Sequence, residues 1–295
     1  MNAFDYRAPR MLDEALAILQ EYADEARVIA GGTAIVTMIR QHLIRPSCLV
    51  SLREVQGLDR IEAANGALRL GALVTHRQIE VSPLVRERLP VLAETCRRVA
   101  TIRIRHMATI GGALAHADPN QDPPVTLMAL GARVEILRAG GRRELPLGEF
   151  FRDYYETVLE PEELVTGVTV PLLPPASGAA FLKFLPRTAD DYATVAVAAT
   201  VTLEQDGERC REARIALGSV GTTPLRGRAG EALLSGERIS ESLLQAVGEA
   251  VKGEVDPLSD HRGSAAYKRE MTAVMVGRAL TQAWEAAQRS ARASG

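Results

Sequence analysis

Two Gly-Gly pairs are the residues of this sequence best suited to hold a ligand through the backbone. The first lies in Ala30-Gly31-Gly32-Thr33-Ala34-Ile35 and the second in Thr109-Ile110-Gly111-Gly112-Ala113. Glycine lets a ligand approach the backbone closely, and successive N–H groups at a helix start attract phosphate oxygens. Two such loops could hold the two phosphates of a dinucleotide from opposite sides, with added hydrogen bonds from the two threonine hydroxyls.

Each Gly-Gly pair can also be no more than a tight connection between two elements. The usual nucleotide motifs are absent from the sequence. No two glycines are spaced i, i+2, which excludes G-x-G-x-x-G, and no glycine precedes a lysine, which excludes the G-K of a P-loop. A dinucleotide would therefore bind here without a Rossmann fingerprint.

Composition excludes several other functions. The formal net charge is −2, so charge gives no argument for binding nucleic acid. The three cysteines, Cys48, Cys96 and Cys210, are too few and too scattered for an iron–sulfur cluster, structural zinc or a disulfide framework. The five histidines show no H-E-x-x-H spacing. We therefore expect no metal site, no catalytic acid–base pair, no membrane insertion and a cytoplasmic location.

Helix and strand patterns place both loops in an α/β setting. The first loop lies between a predicted strand at 27–30 and a predicted helix at 33–43, after a helix that starts near Leu12. Asn65-Gly66 predicts a hairpin between 61–63 and 68–70. Further predictions are a strand at 48–52, a helix at 84–100, and strands at 133–137 and 164–170.

Pro174, Pro175, Ser177 and Gly178 form the best linker candidate. Strands are predicted after it at 179–185, 192–203 and 211–217, followed by helices at 228–234, 240–251 and 265–287. Strands before helices indicate an α+β domain. We therefore predict three parts: residues 1–55, 56–177 and 178–295.

Several stretches of the sequence resemble those of a known family. AGGTAIV and IRIRHMATIGGALAHADPNQDPP resemble the two glycine loops in the FAD-binding (medium) subunit of the molybdenum hydroxylases, a family that includes carbon monoxide dehydrogenase and xanthine dehydrogenase. Ala113 stands where the family often has asparagine. Other stretches are similar to family motifs: Phe181-Leu182-Lys183 with Arg187 and Asp191-Tyr192-Ala193, Gly218-Ser219-Val220 with Pro224 and Arg226, and Ala265-Ala266-Tyr267-Lys268-Arg269.

The resemblance implies an α+β protein. Its FAD-binding domain would have two subdomains (1–55 and 56–177) of the p-cresol methylhydroxylase (PCMH) type, like that of vanillyl-alcohol oxidase. A C-terminal α+β domain (178–295) would follow, with a three-stranded antiparallel sheet and helices.

The resemblance also implies that FAD is the cofactor and which residues hold it. The two loops, residues 30–35 and 109–113, would surround the pyrophosphate. Asp118 would be a further cofactor-binding residue, and Asp122 would bond the cofactor's polar middle. Val165 would lie beside the flavin, Lys183 would place a cation near the isoalloxazine ring, and Tyr192 would stack or hydrogen-bond near it.

Each of these single residues also has an ordinary structural explanation. Asp122 can be a helix N-cap, Lys183 a solvated strand residue, and Tyr192 an ordinary strand aromatic. The basic group Arg103, Arg105 and His106, just before the second loop, can assist anion binding, face a partner subunit or simply be solvated.

The resemblance implies an electron-transfer subunit without catalytic residues of its own. It would take electrons from a partner subunit with two [2Fe–2S] clusters, while a large subunit with a molybdenum cofactor oxidises the substrate, and it would pass them to an external acceptor. Two alternatives remain open: a stand-alone FAD-dependent oxidoreductase acting directly on a small molecule, and an assembly subunit that has lost flavin.

Overall fold

The first part of the chain forms a small parallel sheet. The computed structural model describes residues 4–185 and 187–294. Its first strands lie in the order β1-β3-β2, all parallel, and helix α1 packs on them. The elements are β1 (Asp5–Arg7), α1 (Leu12–Tyr22), β2 (Ala26–Ile29), α2 (Ile35–Arg40) and β3 (Cys48–Ser51).

The second part forms a five-stranded antiparallel sheet in the order β4-β5-β10-β6-β7. Six short helices accompany it. The strands are β4 (Ile61–Ala64), β5 (Ala67–Gly71), β6 (Arg133–Arg138), β7 (Gly141–Pro146) and β10 (Leu164–Pro171), and β8 (Phe151–Asp153) pairs with β9 (Glu156–Thr157) in a separate hairpin. The helices are α3 (His76–Val81), α4 (Pro83–Arg88), α5 (Pro90–Arg97), α6 (Ile102–Met107), α7 (Ile110–His116) and α8 (Asp122–Ala129). All of them except α6 contribute residues to the core of the sheet.

The third part is an antiparallel sheet in the order β11-β12-β13-β14, followed by three helices. The resemblance implied three strands here, and the structure adds a fourth of only two residues. The elements are β11 (Ser177–Phe184), β12 (Val195–Leu203), β13 (Cys210–Gly218), β14 (Leu225–Arg226), α9 (Arg228–Leu234), α10 (Glu241–Lys252) and α11 (Ala265–Ser294).

Strand β12 joins the second and third parts because both of its faces are buried. Ala196 and Ala198 belong to the core that includes α8, whereas Val197 and Val201 belong to the core under α11. Alternate side chains of a strand point to opposite faces, so one strand is packed between two helices. The small alanines let α8 lie close to the sheet.

Proline accounts for the largest difference from the predicted elements. The expected single helix at 84–100 is wrong, because it is divided into α4 and α5 at Leu89 and Pro90. Proline has no N–H to donate and its ring clashes with the preceding turn, so the second helix starts with Pro90 at its first position. Helices α3, α6, α7 and α8 were not predicted.

Several predicted boundaries move by a few residues. Helix α2 covers only Ile35–Arg40 of the expected 33–43, and β12 starts at Val195, so Tyr192 lies in the preceding loop. Ser177 and Gly178 are not linker residues, because they begin β11. The Asn65-Gly66 hairpin is confirmed, with both residues at positive φ. Among the described helices, none is both long and apolar enough to cross a membrane.

Gly178 lets β11 touch α11 backbone to backbone. A Cβ at this position would overlap the carbonyl oxygen of Ala283 and the amide nitrogen of Ala287. We expect Gly178→Ala to lower the free energy of unfolding by about 1–3 kcal/mol, because adding a methyl group to a filled core forces the backbone apart. Urea denaturation measures the change. Gly148→Ala is the matched control, since nothing lies within 4 Å of its added Cβ, and an equal loss in both variants would contradict the close packing.

Candidate functional site

The first glycine loop connects β2 to α2 and is pressed against the chain that enters the second loop. A Cβ on Gly31 would overlap the carbonyl oxygen of Met107 and would lie 3.2 Å from the Cα of Ala108. Only glycine fits at position 31 without moving one of the two backbones. Gly32 has φ +75°, which glycine adopts without strain.

The first loop also presents a row of unpaired backbone donors. Within the described residues, no acceptor contacts the N–H groups of residues 31–34, although the carbonyls of Gly32 and Ala34 accept hydrogen bonds from α2. These four residues are half-buried, so they stay accessible to a ligand. Consecutive unpaired N–H groups are costly unless water or an anion accepts from them.

The second loop is fastened to its own domain and differs in this from the first. The N–H groups of Ile110 and Gly111 donate to the carbonyls of Val74 and Ala72, each at 2.9 Å. The hydroxyl of Thr109 caps α7 by accepting from the N–H of Gly112 at 3.1 Å. The second loop therefore offers a rigid, small-residue surface and the hydroxyl proton of Thr109 rather than a row of free N–H groups.

The two glycine loops face each other. Besides the contact of Gly31 with Met107, an added Cβ on Gly112 would lie 3.9 Å from the Cβ of Ala30, which is ordinary van der Waals distance. The expectation that the two loops lie together is confirmed.

A second group of predicted site residues meets where the second and third parts of the chain join. The carboxylate of Asp122 accepts from the ammonium of Lys183 at 2.8 Å, and both side chains are almost fully buried. Lys183 also donates to the carbonyl of Arg98 at 3.3 Å. Asp122 is therefore not an N-cap, because Gln121 holds that position, and Lys183 is not a solvated strand residue.

Lys183 pairs with only one of the two carboxylate oxygens of Asp122. Its Oδ1 atom is buried without a hydrogen-bond donor. Burial raises the pKa of Asp122 to about 6, although the charges of Lys183 and Arg98 act in the opposite direction. A buried carboxylate oxygen without a donor costs free energy, so a ligand that donates a hydrogen bond to this oxygen would be bound favourably.

Asp118 and Tyr192 lie next to this pair. Asp118 is buried and accepts from the backbone N–H and side-chain amide of Asn120, at 3.0 and 2.9 Å. Tyr192 is 43% exposed, and burial of its hydroxyl together with the negative charge of Asp118 raises the pKa of Tyr192. Arg262 lies over its ring.

Helix α7 spaces the two halves of the candidate site. The second loop begins this helix, and Asp118 follows two residues after its end. Seven helical residues rise about 10 Å. Ala113 lies inside α7, and Val165 is buried on β10, against which α7 packs. The second loop thus lies at the start of α7, and Asp118 lies two residues beyond its end with Tyr192 and the Asp122–Lys183 pair near it. Val165 belongs to the same core as Ile110 and Leu114 of α7.

Sequence reasoning missed the contacts that hold this arrangement. The backbone of Met107 and the carbonyl of Ala72 carry no side-chain signal. Arg105, left open between anion binding, a partner contact and solvation, contacts the buried carboxylate of Glu80 at 3.0 Å and so fastens α6 to α3. The contact of Arg262 with the ring of Tyr192 was also missed, because Arg262 lies far from both glycine loops in the sequence and belongs to no motif.

The cap on α7 gives a direct test of the second loop. Thr109→Ala should lower the free energy of unfolding of the chain without ligand by about 1 kcal/mol, because it removes the acceptor for the N–H of Gly112. Thr109→Ser keeps that oxygen and should cost less than half as much. Urea denaturation followed by circular dichroism measures both, and equal losses would show that the hydroxyl does not act as a cap.

Comparisons with known proteins agree on one family. The sequence model of the FAD binding domain in molybdopterin dehydrogenase matches residues 2–173, and that of the CO dehydrogenase flavoprotein C-terminal domain matches residues 180–283. Relatives include the 6-hydroxypseudooxynicotine dehydrogenase complex subunit alpha of Paenarthrobacter nicotinovorans, 36% identical over 95% of this chain and 94% of the relative. The carbon monoxide dehydrogenase medium chain of Hydrogenophaga pseudoflava is 34% identical over 95% of this chain and 97% of the relative.

The solved structures give the same result. The structure of carbon monoxide dehydrogenase from Hydrogenophaga pseudoflava lacking the Mo-pyranopterin moiety superposes with a TM-score of 0.93 at 33% identity, covering 96% of this chain and 98% of that one. Together with the contact between the two glycine loops, these matches identify the chain as a member of the family of FAD-binding medium subunits of the molybdenum hydroxylases, and thus as a flavoprotein component of an oxidoreductase.

Proposed function

We propose that FAD lies along α7, with its diphosphate on the first glycine loop, and that the chain relays electrons from [2Fe–2S] clusters of a partner subunit to an external acceptor. The single observation that carries the proposal is the first loop. The N–H groups of its residues 31–34 are unpaired, and the first of these residues, Gly31, has no room for a side chain. The residues present therefore fit the diphosphate of FAD.

The first loop would bind the diphosphate with the N–H groups of residues 31–34, while Ala30 and Ile35 flank them. In the second loop, Thr109 would donate its hydroxyl proton to the cofactor. Ile110, Gly111, Gly112 and Ala113 would supply the close-packed wall, since all four have their N–H groups engaged. The two loops have different proposed roles because the N–H groups are free in the first loop and engaged in the second.

The far end of α7 would hold the flavin half of the cofactor. Asp122 would accept from a hydroxyl of the cofactor through its unpaired Oδ1. Lys183 would place its ammonium beside the ring system, held there by Asp122. Tyr192 would contact the ring, and its exposed fraction leaves it free to do so. Asp118 would orient Tyr192, and Val165 would support the ring from the apolar side.

The bound flavin supplies the redox chemistry, which lets the subunit that holds it connect iron–sulfur clusters to an external acceptor. This chain would bind and orient the cofactor and exclude water from Lys183 and Asp122. It cannot gather its own cysteines at a cluster, because Cys48, Cys96 and Cys210 are buried in three different cores. Within the described residues, no group of metal-ligating side chains forms.

The proposed partners are a small subunit with [2Fe–2S] clusters and a large subunit with the molybdenum cofactor, in the cytoplasm. Support comes from the relatives, which are named a medium chain and a complex subunit. We also propose that the functional division of the chain follows the sequence-based parts 1–55, 56–177 and 178–295. Purification of the tagged chain from its source should recover both partners, whereas recovery of the FAD-loaded chain alone would favour the stand-alone oxidoreductase.

Gly31→Ala tests the diphosphate site. The added methyl group would overlap the carbonyl oxygen of Met107 and force the loops apart. We expect the flavin content of the purified chain to fall at least fivefold, measured by absorbance near 450 nm. Gly148→Ala, with open space around its Cβ, should keep full flavin content. A folded Gly31→Ala variant that retains FAD as the parent does would contradict the proposed site.

The carboxyl of Asp122 makes FAD binding depend on pH. A hydroxyl that donates to Oδ1 binds the ionised carboxylate better, so FAD should lower the pKa of Asp122 from about 6. Binding then releases a proton below about pH 6, so FAD affinity should rise with pH up to about 6, by about tenfold for each unit of pKa change, and level off above it.

Titration of the flavin-free chain with FAD at several pH values measures this rise. Asp122→Asn should bind FAD more weakly at pH 7 and should lack the part of the pH dependence that Asp122 causes. Burial lowers the pKa of His116, and this residue is unchanged in the variant. Any pH dependence that His116 causes should therefore be the same in both proteins. The same slope in both proteins would show that Asp122 does not contact the cofactor in its ionised form.

A further inference from the structure

Tyr192 is held from two sides by opposite charges. Its hydroxyl end lies near the buried carboxylate of Asp118. The guanidinium carbon of Arg262 lies 5.5 Å from the ring centroid, over the ring. A cation over the face of a tyrosine is attracted by the ring's quadrupole. Because one contact acts at the hydroxyl and the other at the ring, together they fix the direction and the tilt of an otherwise exposed side chain.

Arg262 itself is held in place by Asp260. The backbone N–H of Arg262 donates to Oδ1 of Asp260 at 2.8 Å, and its guanidinium donates to Oδ2 at 3.2 Å. The carbonyl of Arg262 accepts from the hydroxyl of Thr194 at 3.3 Å, two residues after Tyr192. The side chain of Arg262 is only 15% exposed. Its place over the ring is therefore defined by the loop and not by chance on an open surface.

The loop is anchored in turn by the last helix. The ammonium of Lys268, on α11, contacts Oδ2 of Asp260 at 2.9 Å and donates to the carbonyl of Leu258 at 2.9 Å. Its side chain is 4% exposed. Lys268, in the Tyr267-Lys268-Arg269 motif that the flavin site leaves unexplained, thus connects α11 through Asp260 and Arg262 to Tyr192.

We propose that Arg262 is a positioning residue that holds the ring of Tyr192 against the bound flavin, with Asp260 and Lys268 fixing Arg262. The inference rests on the proposed function, because it needs FAD at the end of α7. It assigns to the third part of the chain a role at the flavin that the glycine loops do not reveal. Loss of the cation should leave FAD bound but the tyrosine ring free to leave the flavin.

Fluorescence of bound FAD in the full chain tests the proposal, because a tyrosine ring in contact with a flavin quenches its emission. Tyr192→Leu should raise the emission per bound FAD at least threefold. Arg262→Met, which keeps the apolar stem but removes the charge, should raise it at least twofold. Arg262→Lys should recover part of the quenching. Adding Arg262→Met to Tyr192→Leu should cause no further rise.

Arg269→Met is the matched control, because Arg269 lies on α11 next to Lys268 but pairs with Asp256 and not with Asp260. Its emission should stay within about one fifth of the parent value. Quenching that survives Arg262→Met with FAD fully bound would overturn the positioning role, and so would unchanged emission in Tyr192→Leu. A parent chain that binds no FAD would instead overturn the proposed function and this inference with it.

Discussion

The contact between Gly31 and the backbone of Met107 is the constraint on which the candidate site depends. It brings a loop of the parallel sheet against a loop of the antiparallel domain with no side chain between them. Because the second loop is hydrogen-bonded to the carbonyls of Ala72 and Val74 in its own domain, it acts as a fixed wall. The first loop is then held in a conformation that leaves its N–H groups unpaired, and a diphosphate can pair them.

The third part of the chain belongs to the same site. Strand β12 is buried between α8 and α11, and the Lys183–Asp122 pair crosses the same boundary. A buried pair of this kind adds little stability by itself, since the cost of desolvation offsets the attraction. Its value here is geometric, because it fixes a cation and a partly unsatisfied carboxylate at one end of α7. Arg262, in the loop before α11, adds a second cation to this region, over the ring of Tyr192.

Much of the fold could be predicted from local patterns. The Asn65-Gly66 hairpin and the strands and helices of the third part follow from turn chemistry and periodicity, and the nearness of the two glycine loops followed from their shared composition. The break at Pro90 was readable from the proline but was missed. The burial of Lys183 could not be predicted, because a lysine on a strand is usually solvated and its carboxylate partner lies 61 residues away in the chain. Contacts made by backbone atoms, such as the carbonyl of Met107, leave no trace in residue type.

Amide hydrogen exchange of the first loop tests the account most directly. FAD should slow exchange at residues 31–34 by tenfold or more, because each N–H that now lacks an acceptor would gain a phosphate oxygen, while the exposed turn at Gly140 should be unaffected. Exchange at residues 31–34 that stays equally fast with FAD fully bound would contradict the claim that this loop holds the diphosphate.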